Sequence, residues 1–222
     1  MDILDRGSCL SRVFSSDYQS EATTKDLGSA FGLTNISFKP YAACLFVHPV
    51  VDALVLLTKE HRLKPEGIQE VCVEVVPINV KVAGNESPAY RLEGKFSIQF
   101  AAAIAILYDK AGNSFFSDEM VRDTRVRNMM KKIRVTGNPG YGEMEATVSV
   151  KVREGAGREI RVTSPKGDPK NHLSFDEIQE KFVDLCQGVL PKSRIDDIVE
   201  LVQHLEDEKN MAALARLRSK EG

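Results

Sequence analysis

No apolar stretch in this 222-residue sequence approaches the roughly 18 residues that a membrane-spanning helix requires. The longest, FAAAIAILY at Phe100–Tyr108, is far too short, so no membrane partner is expected. An excess of one charge is also missing. Thirty Lys and Arg stand against 32 Asp and Glu, giving a formal net charge of −2. Basic residues are scattered rather than striped, which leaves no broad field to attract nucleic acid. Cysteine is sparse: Cys9, Cys44, Cys72 and Cys186, with no CxxC pair among them. Cys72 and Cys186 fall inside apolar patterns, where free cysteine is commonly a small buried hydrophobe. The four histidines, His48, His61, His172 and His204, share no ligand spacing. Neither a metal site nor a cofactor is expected. GxSxG, HExxH, GxxxxGK[ST] and GxGxxG are all absent, as are internal repeats. The first residues carry Asp2 and Asp5 and resemble neither a signal peptide nor a basic presequence, so a cytoplasmic location is expected.

What is present is an ordinary globular mixture, 42% hydrophobic and 28% charged, enough to build a core. Residues 1–35 are weakly patterned. From Pro49, Val50, Val51, Leu54, Val55 and Leu57 recur at helical spacing, and the helix should stop near HRLKPEG. IQEVCVEVVPINVKVAG alternates at Val71, Val73 and Val75, then out of step at Ile78, Val80 and Val82. That phase slip beside Pro77 predicts a kinked or bulged strand. Lys95–Asp109 reads as a buried, alanine-rich helix, and SDEMVRDTRVRNMMKKI as one shorter amphipathic helix. EATVSVKVR and REIRVTS, joined by EGAG, predict a hairpin. LSFDEIQEKFVDLC opens with a capping box, Ser174 and Glu177, and carries the stripe Ile178, Phe182, Leu185. A further stripe is Ile195, Ile198, Val202 and Leu205. Phe96, Phe100 and Phe182 are expected in the core. The fold class expected is α+β, a small mixed sheet with packed helices and C-terminal helices beyond it. With so few strands, those last helices lack an obvious surface to cover.

The chemistry on offer is concentrated in SFKPYAACLFVHPVVDA, Ser37–Ala53. Lys39, Cys44 and His48 could form a cationic lip for an anionic substrate, with His48 moving a proton. The plainer reading makes Lys39 solvated, Cys44 core and His48 a packing residue, and pattern alone favours it. Ser97 and Gln99 open the alanine-rich helix, whose free N–H groups attract anions; Ser97 also suits a helix cap. Lys166 and Lys170 in SPKGDPKN only superficially resemble a phosphate loop.

Taken in order, four stretches resemble the MmgE/PrpD family, which includes 2-methylcitrate dehydratase, cis-aconitate decarboxylase and iminodisuccinate epimerase. FKPYAACLFVHPVVDA resembles its Lys-x-Tyr-Pro-x-Cys-x-x-x-His stretch, with Ala42 in place of proline. TKDLGSAFGL resembles the segment before it. EGKFSIQFAAAIAIL resembles the Lys-Phe-Ser-x-x-Tyr helix, with Phe100 in place of tyrosine. SPKGDPKNHLSFDEIQEKF resembles the closing Pro-x-Gly-x-Pro pattern, with His172 in place of proline. The resemblance covers the family's C-terminal half. It implies a partial helical-domain segment at residues 1–33, an α+β lid at 34–171 and returning helices at 172–222. It also implies small di- or tricarboxylate substrates and dehydratase, lyase or epimerase chemistry through an enolate-like species. Lys39, His48 and Cys44 would be the catalytic contribution, and Lys39, Ser97 and Gln99 would bind substrate. The remaining acid–base groups would lie on the helical domain, so the lone chain is expected to be inactive or part of a split enzyme. The rival expectation is a non-catalytic binding or assembly module. In that case the chain forms a homodimer through its C-terminal helices.

Overall fold

The computed structural model describes residues 13–218. It divides at Ile36/Ser37 into two compact units. In the first, short 3₁₀ turns lie at Ser20–Thr23 and Gly32–Asn35, and Leu27, Phe31 and Leu33 are exposed. Cys9 lies outside the described residues.

The second unit is an α+β arrangement. Its sheet has four strands: β1 (Ile68–Val75), β2 (Ile133–Gly137), β3 (Ala146–Val152) and β4 (Arg158–Val162), in the order β2-β1-β3-β4. β2 runs parallel to β1, with Val71 opposite Ile133. β3 runs antiparallel to β1, Val73 facing Val148, and β3 pairs β4 as the expected hairpin, Val148 facing Ile160. The sheet is mixed because a long crossover separates β1 from β2, as parallel pairing demands.

That crossover carries most of the helices. α1 (His48–His61) precedes the sheet; α2 (Pro77–Ala83), α3 (Arg91–Gly94), α4 (Ile98–Tyr108), α5 (Asp118–Arg122) and α6 (Thr124–Met130) lie between β1 and β2. α7 (Phe175–Cys186), α8 (Lys192–Gln203) and α9 (Ala212–Arg218) follow. α1 and α4 pack on each other, α1 also against β3 and β4 and α4 against β2. Val71, Val73, Val75, Ala146, Val148 and Val150 face them and are fully buried. Cys72 therefore falls on the other face and is exposed, contrary to its expected burial, because alternate residues of a strand point oppositely. α4 is buried continuously from Ile98 to Ile106, as an all-round apolar, alanine-rich helix should be.

Three expectations need correction. Val76–Val82 is not a kinked strand. Pro77 opens α2, and the buried positions are Asn79 and Ala83, four apart, rather than the alternating valines. Proline suits a first helical turn because its missing N–H has no partner there anyway. Second, the expected single helix after Ser117 is two, because Asp123 ends α5 and caps α6. Its Oδ1 accepts from the N–H groups of Arg125 at 2.7 Å and Val126 at 3.1 Å. Third, Lys95 and Phe96 precede α4 rather than belonging to it. Ser97 is its N-cap, and Phe96 is exposed while Phe100 is fully buried. Phe182 is half-buried.

The capping box of α7 is present: Ser174 Oγ accepts from Glu177 N–H at 3.2 Å and Glu177 Oε2 from Ser174 N–H at 2.8 Å. Of the α8 stripe, Ile195 and Ile198 are buried within the chain, whereas Val202 and Leu205 are exposed. Leu205 lies beyond α8, in a separate 3₁₀ turn. Half of that stripe thus finds a bed in this chain, and α8 packs against both α7 and α9.

Candidate functional site

The segment from Ser37 to Val47 is irregular but anchored at several points. Phe38 N–H donates to Gly167 O at 2.8 Å, and Lys181 Nζ donates to Lys39 O at 2.7 Å. Cys44 N–H donates to Lys95 O at 2.8 Å, which ties this segment to the start of α4. A 3₁₀ turn at Leu45–Val47 then leads into α1, with His48 first and Pro49 in the opening turn. Lys39 is exposed and Cys44 half-buried.

Around the buried Asp52 lies a polar cluster that the sequence pattern did not single out. Tyr41 OH donates to Asp52 Oδ1 at 2.5 Å, and Lys166 N–H donates to Asp52 Oδ2 at 2.5 Å. Lys166 Nζ pairs with Glu177 Oε1 at 2.9 Å. Asp52 sits one helical turn beyond His48 on the buried, mostly apolar face of α1, 7% exposed. Burial pushes its carboxyl above the ordinary carboxylate range, although the hydrogen bonds from Tyr41 and Lys166 pull it back. Burial and the neighbouring Asp52 charge likewise raise the Tyr41 phenol, which keeps it a hydrogen-bond donor. Glu177 is lowered: burial opposes ionisation, but the Ser174 N–H and Lys166 outweigh it.

His48 is fully buried, its ring meeting Tyr41 edge-on at a centroid distance of 5.1 Å and an interplanar angle of 62°. Neither ring nitrogen has a hydrogen-bond partner among the described residues. Burial is the main reason its pKa falls to about 4. The nearby Ala43 backbone offsets part of this without reaching hydrogen-bond geometry, while Lys39 and Lys181 add to the lowering. His48 is therefore a neutral imidazole near pH 7.

Ser97 and Gln99 are both buried at the start of α4. Ser97 Oγ accepts from Phe100 N–H at 3.1 Å, the cap that its position allowed. Gln99 Oε1 has no partner among the described residues. Phe100 packs edge-on against Phe116 at 5.7 Å. The backbone bond from Cys44 to Lys95 brings this helix start to the Lys39 segment. A separate open groove, about 1590 Å³, runs between α1, β4, the Ser164–Asn171 loop and α7. It is lined by Pro40, Tyr41, Asp52, Lys166 and Glu177 but by none of the expected site residues Lys39, Cys44, His48, Ser97 and Gln99. Among the described residues no group of three or more His, Cys, Asp and Glu side chains is arranged to hold a metal ion, and no helix is long and apolar enough to cross a membrane.

Fold and site together define a two-layer α+β module in which an exposed lysine, Lys39, lies on a firmly tied segment whose Tyr41 bonds a buried carboxylate. Residues 41–207 match the MmgE/PrpD C-terminal domain, and the chain belongs to that family. It is 25% identical to the cis-aconitate decarboxylase of Mus musculus over 192 residues, covering 82% of this chain and 39% of that protein. The Homo sapiens cis-aconitate decarboxylase is 24% identical over 191 residues, 82% of this chain and 40% of that protein. The decarboxylase of Aspergillus terreus is 22% identical over 215 residues, 90% of this chain and 44% of that protein. The chain thus spans well under half the length of these relatives.

Proposed function

We propose that this chain is the lid side of an MmgE/PrpD active site for a small di- or tricarboxylate, with Lys39 as its cationic contact. The observation that carries this is the placement of Lys39: exposed, on a segment pinned at Phe38, Lys39 and Cys44, which leads directly into residues 41–207, the region that matches the family's C-terminal domain. A fixed ammonium group offsets carboxylate charge, and more strongly as charge grows toward an enolate-like species in a cleft poor in water. Cys44 follows five residues on in the same segment, bonded to Lys95 O. His48, without exposed surface, serves as the neutral packing partner of Tyr41 in this arrangement. Ser97 and Gln99 belong to the same helix start, and reach a ligand only if that start opens.

The named relatives make cis-aconitate the first substrate to test, ahead of the dehydration and epimerisation reactions known elsewhere in the family. Full chemistry in this reading needs acid–base residues from a helical domain, which the matched region does not include. The purified chain should bind cis-aconitate weakly without turning it over. Calorimetry should show Lys39→Ala measurably weakening the binding, and affinity indifferent to that change would remove Lys39 from the site. Decarboxylation, dehydration or epimerisation by the lone chain would overturn the requirement for a second domain.

A second reading has its own observation. Leu185, Val189, Val202 and Leu205 are exposed on the C-terminal helices and turns. They would suit a module that assembles, either with itself or with a helical-domain chain.

A further inference from the structure

The two sequence stretches that look separately functional, FKPYAAC and SPKGDPKN, are joined by one carboxylate. Asp52 accepts from Tyr41 OH with one oxygen and from Lys166 N–H with the other. The loop also meets the first stretch directly, backbone to backbone. Phe38 N–H reaches Gly167 O at 2.8 Å, and a Cβ on Gly167 would stand 1.8 Å from Phe38 O. Gly167 has φ +83°, so both its backbone conformation and its contact require glycine. Lys166 Nζ to Glu177 and Lys181 Nζ to Lys39 O then fasten loop and segment to α7.

We propose that Asp52 is a positioning residue that clasps the Ser164–Asn171 loop to the Phe38–Tyr41 segment and so fixes where Lys39 presents its charge. The inference rests on the anion-binding reading of Lys39 for its consequence, but the clasp itself stands on contacts. Neither Lys166 nor Gly167 binds phosphate in this account. Their backbone is the functional part, and the chain uses glycine there for close approach rather than for an anion cradle.

The chemistry of Asp52 makes a conservative control available. Asparagine can still accept from Lys166 N–H through its oxygen, while its NH₂ donates to a Tyr41 hydroxyl that has turned to accept. Leucine, similar in size, can do neither. Hydrogen exchange read by NMR then separates the roles. In Asp52→Leu the Phe38 amide should exchange at least about tenfold faster, because hydrogen bonds to charged groups are among the stronger ones. The Val73 amide in the sheet should stay unchanged, and Asp52→Asn should remain within about threefold of the native chain. Titration with cis-aconitate supplies the functional arm. Asp52→Leu should weaken binding as Lys39→Ala does, and the double variant should be no weaker than Lys39→Ala alone, since the two act through one contact.

Phe38 exchange that does not change, or that rises in step with Val73, would overturn the clasp. So would an Asp52→Leu chain that binds cis-aconitate at native affinity. A native chain that fails to bind cis-aconitate overturns the anion-site reading instead, and the exchange data then decide the clasp alone.

Discussion

Burial costs His48 its charge, and the cost has a sign that can be measured. Its pKa of about 4 in the fold lies below the ordinary imidazole value of 6.5. The unfolded chain therefore binds more protons between those values, and stability must rise with pH across that window. The contribution is complete above about 6.5 and is lost as pH falls towards 4, amounting to about 3 kcal/mol for the full shift. Asp52 works in the opposite sense. Its raised carboxyl makes the fold bind more protons than the unfolded chain, so its contribution declines as pH rises from the ordinary carboxylate range through its own pKa. Urea unfolding from pH 4 to 7.5 should show the rising limb in the native chain, and His48→Leu should flatten it. At pH 7 that variant should lose little, since it deletes two buried nitrogens that have no partner. An unchanged slope would show that His48 is not the group responsible. Phe100 sets a second test. It is fully buried, and touches Phe116 and the space beside Gly94. Phe100→Tyr should destabilise by about 1–3 kcal/mol, the cost of a buried hydroxyl without a partner, read as a lowered thermal midpoint.

At the scale of elements, strong local chemistry was legible and weak local chemistry was not. The α7 capping box, the β3–β4 hairpin, the α1 stop and the buried alanine-rich helix follow from residue types that admit few alternatives. Val76–Val82 misleads because its valines alternate, while the sites that decide its burial are Asn79 and Ala83. Asn79 is held by a long-range bond, its Nδ2 donating to Glu143 O at 2.7 Å, which no local pattern announces. The candidate site divides the same way. Lys39, Cys44 and His48 stood out by composition, and Tyr41 by family motif. Asp52 looks like any acid in a helix until Tyr41 and Lys166, 114 residues further along the chain from Asp52, converge on it. A lone carboxylate on the apolar Val50–Leu57 face was the available signal. Asp123 is the element-scale test. One side chain ends α5 and caps α6, so Asp123→Ala should cost about 1 kcal/mol by urea titration. Asp123→Asn, which keeps a capping oxygen, should recover most of it. Equal losses in both variants would assign the effect to charge rather than to the cap.

At the scale of the molecule, the open question is what the C-terminal helices are for. In the proposed reading they would pack on a helical domain, yet α8 is already half-satisfied: Ile195 and Ile198 are 4% and 5% exposed, Val202 39%. One stripe thus contains a folding surface and a spare surface, and single substitutions can separate them. Ile198→Asp puts an unpaired charge among apolar side chains and should cost about 3 kcal/mol or more. It should loosen the packing of α7, α8 and α9, seen as lost protection of their amides while the sheet keeps its own. Val202→Asp should leave stability within about 0.5 kcal/mol of native, as exposed substitutions generally do. Light scattering on the Val202→Asp chain then has a clean meaning, because a change in mass cannot come from unfolding. A dimer that dissociates would place Val202 in a contact between copies and support the assembly reading. An unchanged mass would exclude that surface from self-association and leave it to a different chain or domain. Calorimetry with cis-aconitate on the same variant completes the separation: Val202 takes no part in the bonds that hold the Lys39 segment, so affinity should be unaltered if the lid site and the assembly surface are independent.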